Sequence, residues 1–293
     1  MDKFFKSIQA KYNQGNMLIK LIFINVGVFL VIKVLSIFAI LFKLNVVDVV
    51  NILALPSLPS IVINHLWSII TYMFVHQSFW HIFWNMLWLY WFGKIFLNYF
   101  TGKNLASLYI LGGLAGGLLY ILSFNFIPYY IDMDNRWLIG ASASVMAIVM
   151  ASAFYRPDVN IHLLLFGSVK IVYIAVGIFI LDFFSLDDMA NPGGHVAHIG
   201  GALIGYLFAI QYKKGKDITA FVSKSIDGIF SVLKKRNRPK MKVKSQNFNK
   251  YTETSSTRNN DDVIDSILDK LKKSGYGSLT SEEKRQLFDA SKK

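Results

Sequence analysis

The sequence has no cysteine, few prolines and few charged side chains. Among its 293 residues there are 0 Cys and 6 Pro, and 17% of the residues are charged, compared with about 25% in an average soluble domain. The absence of cysteine excludes disulfide scaffolds, thiolate nucleophiles, iron–sulfur clusters and Cys-ligated zinc. Any chemistry must therefore come from hydroxyls, imidazoles, carboxylates or amides. The low charge argues against an ordinary soluble enzyme.

The charges that are present lie mostly near the end of the chain. Residues 1–212 contain 11 Lys/Arg and 8 Asp/Glu, whereas residues 213–293 contain 20 and 10. The two parts therefore carry net charges of +3 and +10, although 54% of the whole chain is hydrophobic. The chain is a long apolar part followed by a short, basic and polar tail.

Long apolar runs fill the first part. A helix that crosses a hydrocarbon core of about 30 Å needs roughly 20 apolar residues. Six runs approach that length: 17–41, 80–96, 106–124, 138–154, 168–184 and 196–211. The first run is too long for a signal-peptide core and has no small-residue cleavage site after it, so we expect it to be retained. The prediction is an all-α membrane protein with a bundle of six transmembrane helices.

Lys and Arg in the connections predict the orientation, because basic residues concentrate on the cytoplasmic side. They occur in the N-terminal segment 1–16, after the second and fourth runs, and in the tail. Six spans with both termini in the cytoplasm satisfy this pattern, and the expected location is the plasma or inner membrane. The apolar connection 44–79 is expected to lie partly in the membrane. The alternative, a seventh span, would reverse the later loops.

Polar side chains within the apolar runs are functional candidates, because burying them in lipid costs free energy. His81 and Asn85 lie four residues apart on one helix face, Ser142 lies at the start of the fourth run, and His198 lies in the sixth. Each alone has an ordinary explanation, such as a serine bonded to its own helix or an amide joining two helices. Their similar predicted depth favours one shared site.

A serine near a histidine, with further hydrogen-bond donors, is the minimal equipment for acyl transfer. The histidine takes the hydroxyl proton and returns it to the leaving amine. The nearest acidic residue is Asp182, which we expect to be a solvated residue at the end of the fifth span. The prediction is a Ser–His dyad without an acidic third member, and with no metal or cofactor.

The pattern resembles the rhomboid family of intramembrane serine proteases over residues 17–212. The resemblance rests on His76, His81 and Asn85, on Gly140-Ala-Ser142, and on Ala197-His198-Ile-Gly-Gly201. It implies that Ser142 is the nucleophile and His198 the general base. It also implies that His81 and Asn85, with the Ser142 backbone N–H, form the oxyanion hole. The implied substrates are single-span membrane proteins, cleaved near the outer membrane face.

One residue departs from the family pattern beside the nucleophile. Ala143 stands where the family usually has Gly, and its methyl group would crowd the substrate if it faced the oxyanion position. This departure favours the alternative of a catalytically inactive rhomboid-like protein that binds membrane clients. A small transporter would need charges deep in the bundle or internal repeats, and the sequence has neither.

The tail is expected to comprise a basic, flexible linker over residues 213–260 and a small cytoplasmic helical hairpin over 261–293. The basic stretch 234–250 should bind anionic lipid headgroups, at roughly 1 kcal/mol for each charge near the surface. Few aromatic residues accompany these charges, so nucleic-acid binding is not expected. In the hairpin, apolar residues recur at helical spacing, and Thr280 with Glu283 forms a capping box before the second helix.

Overall fold

The computed structural model describes residues 15–43, 50–133, 136–163, 167–186, 191–235 and 258–290. The chain divides into two compact units, residues 1–237 and residues 238–293. The predictions made for residues 1–14, and for the basic stretch and linker over 236–257, lie outside the described residues. Throughout the described part the chain is mostly helical.

Helices make up most of the first unit. They are α1 (Met17–Leu41), α2 (Pro59–Val62), α3 (Ser68–Thr71), α4 (Phe79–Leu97), α5 (Gly102–Phe126), α6 (Pro128–Ile131), α7 (Ser142–Tyr155), α8 (Ile171–Phe184), α9 (Pro192–Lys213) and α10 (Ala220–Lys235). Four short strands accompany them: β1 (Leu55–Pro56), β2 (Trp137–Leu138), β3 (Asn160–Leu163) and β4 (Gly167–Lys170). A 3₁₀ turn, Tyr72–Phe74, follows α3.

Among the described helices, α1, α5 and α9 are long and apolar enough to cross a membrane. The helices α7 and α8 are apolar, but each has only 14 residues. They are shorter than the predicted fourth and fifth spans, because residue 138 and residues 168–170 belong to strands. The structure therefore supports three candidate spans, and the total of six stays a prediction.

The strands are an exception to the all-α prediction. β1 pairs antiparallel with β2, with Leu55 opposite Leu138, and β3 pairs antiparallel with β4. A short apolar run has the same hydropathy in a strand as in a helix, which is why the hydropathy pattern placed residue 138 of β2 and residues 168–170 of β4 in spans. The β1–β2 pair ties the connection after α1 to the segment that leads into Ser142.

Local signals explain where the helices next to the site begin. The Ser78 side chain accepts a hydrogen bond from the His81 backbone N–H at 3.2 Å, so Ser78 caps α4 and the helix starts at Phe79, two residues before that histidine. Thr101 and Asn104 form a reciprocal capping box at the start of α5. Pro192 occupies the first turn of α9, where its missing N–H costs no helical hydrogen bond.

The connection between α1 and α4 contains no seventh span in its described part, residues 50–78. Its helices have four residues each, and side chains hold it to itself and to the bundle. Thr71 Oγ1 donates to the Leu53 carbonyl at 2.7 Å, and the Tyr72 hydroxyl donates to the Gly113 carbonyl of α5 at 2.5 Å. The broken backbone contradicts the seventh-span alternative.

Small residues bring α9 close to α7 and α5. A Cβ added at Gly201 would overlap the Ala143 backbone oxygen, and one added at Gly205 would overlap the Ala147 backbone oxygen. Such close approach of backbones is the function of small residues spaced four apart in membrane helices. The prediction that the fourth and sixth runs pack closely through small residues is confirmed for α7 and α9.

Residues 220–235 of the predicted linker form a helix, α10, whereas the linker as a whole stays a prediction. Asn104 at the start of α5 donates to Asp217 Oδ2 at 2.8 Å and to Thr219 Oγ1 at 3.0 Å, just before α10. Lys103 and Asp227 also form an ion pair at 2.7 Å. The apolar residues of this helix alternate with polar ones and with glycine, so no long apolar run marks it in the basic tail.

The second unit contains α11 (Arg258–Ser274), a 3₁₀ turn (Tyr276–Ser278) and α12 (Ser281–Ala290). Glu283 accepts from the Thr280 backbone N–H at 2.7 Å and pairs with Lys270 at 2.8 Å. The hydrogen bond from Lys270 is the main reason that the pKa of Glu283 falls to about 2. The predicted capping box is therefore present, whereas a cytoplasmic hairpin stays a prediction.

Candidate active site

Ser142 is the first residue of α7. The extended segment before it is anchored by the Gly140 backbone N–H, which donates to the Tyr72 carbonyl at 2.9 Å. Gly140 has a φ of +125°, a conformation that glycine adopts without steric cost. Because the first N–H groups of a helix have no acceptor within the helix, the backbone around Ser142 presents hydrogen-bond donors next to its hydroxyl.

His198 lies in the second turn of α9 and faces the end of α8. Its Nδ1 lies 2.6 Å from Asp182 Oδ2, and Nδ1 of His195 lies 2.6 Å from Asp182 Oδ1. The spacing of three residues puts both imidazoles on one side of α9. The His198 Nε2 atom is buried and has no hydrogen-bond partner within the described part of the chain.

A cavity of about 320 Å³ connects the serine and the histidine. We call it the helix cavity, because α4, α7, α8 and α9 all contribute to its wall. Its lining includes Trp84, Asn85, Trp88, Ser142, Val145, Met146, Val149, Ile178, Leu181, Asp182, Ser185 and His198. The cavity thus brings together three of the four predicted site residues, within walls that are otherwise mainly apolar.

The fourth predicted residue, His81, lines a second cavity of about 360 Å³. We call it the loop cavity, because its wall includes residues 136–139 and 191–194; Ser142 belongs to this cavity as well. A Cβ added at Gly140 would lie 2.8 Å from His81 Nε2 and 3.6 Å from Ser142 Oγ. The hydroxyl and the His81 ring therefore flank the same glycine, and Ser142 stands where the two cavities meet.

The two predicted oxyanion residues belong to one helical turn. Asn85 is 8% exposed, and its Nδ2 donates to the His81 carbonyl at 2.9 Å. An amide nitrogen carries two hydrogens, so one donor of Asn85 remains for a ligand in the helix cavity. His76 packs against His81 with ring centroids 5.0 Å apart and supports that ring from the connecting segment.

Ala143 does not face either cavity. It is 2% exposed, and it is absent from the lining of both the helix cavity and the loop cavity. Its Cβ would lie 2.6 Å from a Cβ added at Gly116 of α5, so the methyl group belongs to the packing between helices. The expected crowding of the oxyanion position by this methyl group is not seen.

The expectation that Asp182 is a solvated end residue is wrong. Its side chain is 11% exposed, and both carboxylate oxygens contact imidazoles. The sequence does carry a signal for this contact: an aspartate within an apolar run is a functional candidate by default, and His195 and His198 share a helix face. The fold, by joining the end of α8 to the start of α9, makes them partners.

Comparisons with known proteins agree with this architecture. A family model described as Rhomboid domain matches residues 64–214, which is more than half of the chain. The Arabidopsis thaliana protein named RHOMBOID-like protein 12, mitochondrial, is 26% identical over 160 residues, covering 52% of this chain and 48% of that protein. The chain therefore spans about half the length of this curated relative. A second model, described as a family of unknown function (DUF6576), matches residues 249–293.

Apolar helices and the matched domain together define a multi-pass membrane protein. Within that class, the chain belongs to the rhomboid family.

Proposed function

We propose that this protein is an intramembrane serine endopeptidase that cleaves single-span membrane proteins. The observation that carries the proposal is the position of Ser142 at the start of α7, in one cavity with a histidine whose Nε2 is buried and has no hydrogen-bond partner among the described residues. In this mechanism Ser142 Oγ attacks the scissile carbonyl. His198 Nε2 takes the hydroxyl proton and passes it to the leaving amine. No metal or cofactor takes part.

The oxyanion that forms during the attack needs donors held in place beforehand. We assign this role to the backbone N–H of Ser142, to the His81 ring and to the second Nδ2 hydrogen of Asn85. His81 and Asn85 reach Ser142 from different cavities. In this assignment the serine lies between them, so a carbonyl bound there would meet donors on two sides.

The proposed setting is a bundle of six spans with both termini in the cytoplasm of the plasma or inner membrane. α4, α7 and α8 would complete the six with α1, α5 and α9. The starts of α4, α7 and α9 would then face the outside, and cleavage would occur near the outer face. The basic tail would contact anionic lipid headgroups on the inner side.

The proposal is tested with the purified full chain in detergent. Wild type and Ser142→Ala are incubated with several single-span substrates, and a serine-reactive fluorophosphonate is added in parallel. We expect cleavage and covalent labelling of wild type, and neither with Ser142→Ala. Equal survival of every substrate with both proteins, together with no labelling, would remove the protease assignment.

The alternative is a catalytically inactive rhomboid-like protein that binds membrane clients. Its support from sequence was Ala143, and the packing of that side chain against α5 weakens this support. The alternative predicts that Ser142→Ala binds clients as wild type does and that neither protein cleaves them. Co-purification of an uncleaved client with both proteins would favour it.

A further inference from the structure

Asp182 joins two histidines through its two oxygens. Each Nδ1–O distance is 2.6 Å, and the aspartate and the histidine side chains are 11% and 15% exposed. This cluster lies where α8 ends and α9 begins, and it forms part of the helix cavity wall through Asp182 and His198. An acidic residue thus contacts His198 through Nδ1, on the side of the ring away from Nε2.

The carboxylate of Asp182 determines which ring nitrogen of each imidazole carries the hydrogen. An ionised carboxylate accepts hydrogen bonds and cannot donate them, so the Nδ1 atom of each histidine carries the hydrogen. In a neutral imidazole the other nitrogen then has a free lone pair. For His198 that nitrogen is Nε2, which is buried and has no hydrogen-bond partner in the part of the chain that the structure describes.

We propose that Asp182 is a positioning residue that holds His198 with its proton on Nδ1 and its lone pair on Nε2. The effect on rate rests on the proposed peptidase function. When Ser142 loses its proton to Nε2, His198 becomes an imidazolium, and the carboxylate stabilises that charge without taking the proton itself. The proton then leaves with the amine product, and Asp182 remains ionised throughout.

His195 has a supporting part in this arrangement. It occupies the second oxygen of Asp182, so the carboxylate cannot rotate without losing one imidazole. Ser185 also lines the helix cavity, but its hydroxyl donates to the Leu181 carbonyl at 2.8 Å. Within the described residues, the two imidazoles are the only side chains hydrogen-bonded to Asp182.

A simple ion pair between α8 and α9 would give the same contacts, so the test must separate orientation from stability. Asp182→Asn keeps the size of the side chain but offers one acceptor and one donor in place of two acceptors. It therefore cannot hold both histidines with hydrogen on Nδ1. Asp158→Asn is the matched control, because Asp158 pairs with Arg156 at 2.9 Å at an exposed position outside both cavities.

The first measurement is cleavage of a single-span substrate by the full-length protein. For Asp182→Asn we expect kcat to fall at least roughly tenfold with KM almost unchanged, because only the transition state gains from the oriented imidazole. Asp182→Glu should recover part of the loss, and Asp158→Asn should match wild type. Equal kcat for Asp182→Asn and Asp158→Asn would overturn the inference.

The second measurement does not depend on activity. Nitrogen-15 spectra of histidine-labelled protein report which ring nitrogen carries hydrogen, and His198→Gln identifies the His198 signals. We expect Nδ1–H in wild type and a gain of Nε2–H in Asp182→Asn. If wild type cleaves nothing, the proposed function fails, while these spectra still test the positioning role; an unchanged His198 tautomer in Asp182→Asn would overturn it.

Discussion

Gly140 controls the distance between the serine and the His81 ring. Alanine there would meet two obstacles: a φ of +125° that side chains rarely adopt, and a Cβ only 2.8 Å from His81 Nε2. We expect Gly140→Ala to displace His81 and to lower kcat by roughly 10²-fold, the effect of about 1 Å of misplacement. Cleavage assays on the purified variant measure this change.

Gly215→Ala is the control for Gly140→Ala. Gly215 has a φ of +75°, but a Cβ added there meets nothing within 4 Å. Gly215→Ala therefore also places an alanine at a positive φ, but it displaces no neighbour of the serine. If both variants lost activity equally, displacement of His81 would not be the cause.

For a substitution at Ala143 we expect no change in catalysis. Because its methyl group packs toward Gly116 and lines neither cavity, Ala143→Gly should leave kcat/KM unchanged. The variant should lose about 1 kcal/mol of stability, since glycine is the poorer residue inside a helix. Thermal unfolding and cleavage are measured on the same preparation; a severalfold gain in cleavage would mean that the methyl group does crowd the substrate.

Much of the candidate site was predictable residue by residue, because polar side chains are scarce in apolar runs. Ser142, His81, Asn85 and His198 stood out for that reason, and the structure brings them around two cavities that share the serine. Asp182 was misjudged, because the depth of a residue at the end of a run depends on how the next helix packs over it. That packing is a tertiary property, absent from any local pattern.

At the scale of the helices, the close approach of α9 to α7 leaves no room for an added methyl group at Gly201. A Cβ at Gly201 would lie 2.8 Å from the Ala143 carbonyl carbon and 3.1 Å from its Cα. These are backbone atoms, which cannot rotate away as a side chain can. We expect Gly201→Ala to cost about 1–3 kcal/mol through overpacking, measured as a lower unfolding temperature in detergent.

The matched variant for Gly201→Ala is Gly27→Ala in α1. A Cβ at Gly27 has nothing within 4 Å, so this change adds the same methyl group to a helix without a clash. It should leave the unfolding temperature unchanged or raise it, since alanine favours helix. Equal temperatures for the two variants would show that α7 and α9 tolerate wider separation.

The helices themselves were predictable to different degrees. α1 has the bounds of the first apolar run, because length and hydropathy alone specify a long helix that faces lipid. α7 and α8 begin later than their runs do, since strand pairing competes for residues of the same hydropathy. α10 was not predicted because its apolar residues are separated by polar ones and form no run of span length in the basic tail.

For the whole molecule, the absence of cysteine makes the topology directly testable. Six spans with cytoplasmic termini put Asp132, after α5, outside the cell and Asp158, after α7, inside. Each is changed separately to cysteine in a chain that has no other thiol.

A membrane-impermeant maleimide should label Asp132→Cys in intact cells, whereas Asp158→Cys should react only after lysis. An odd number of spans between these sites reverses the membrane side from one to the other, and α7, an apolar helix of 14 residues, is the predicted span that lies between them. Labelling of both variants from outside would therefore mean that this 14-residue helix does not cross the bilayer, and labelling of Asp158→Cys alone would mean that the whole bundle is inverted.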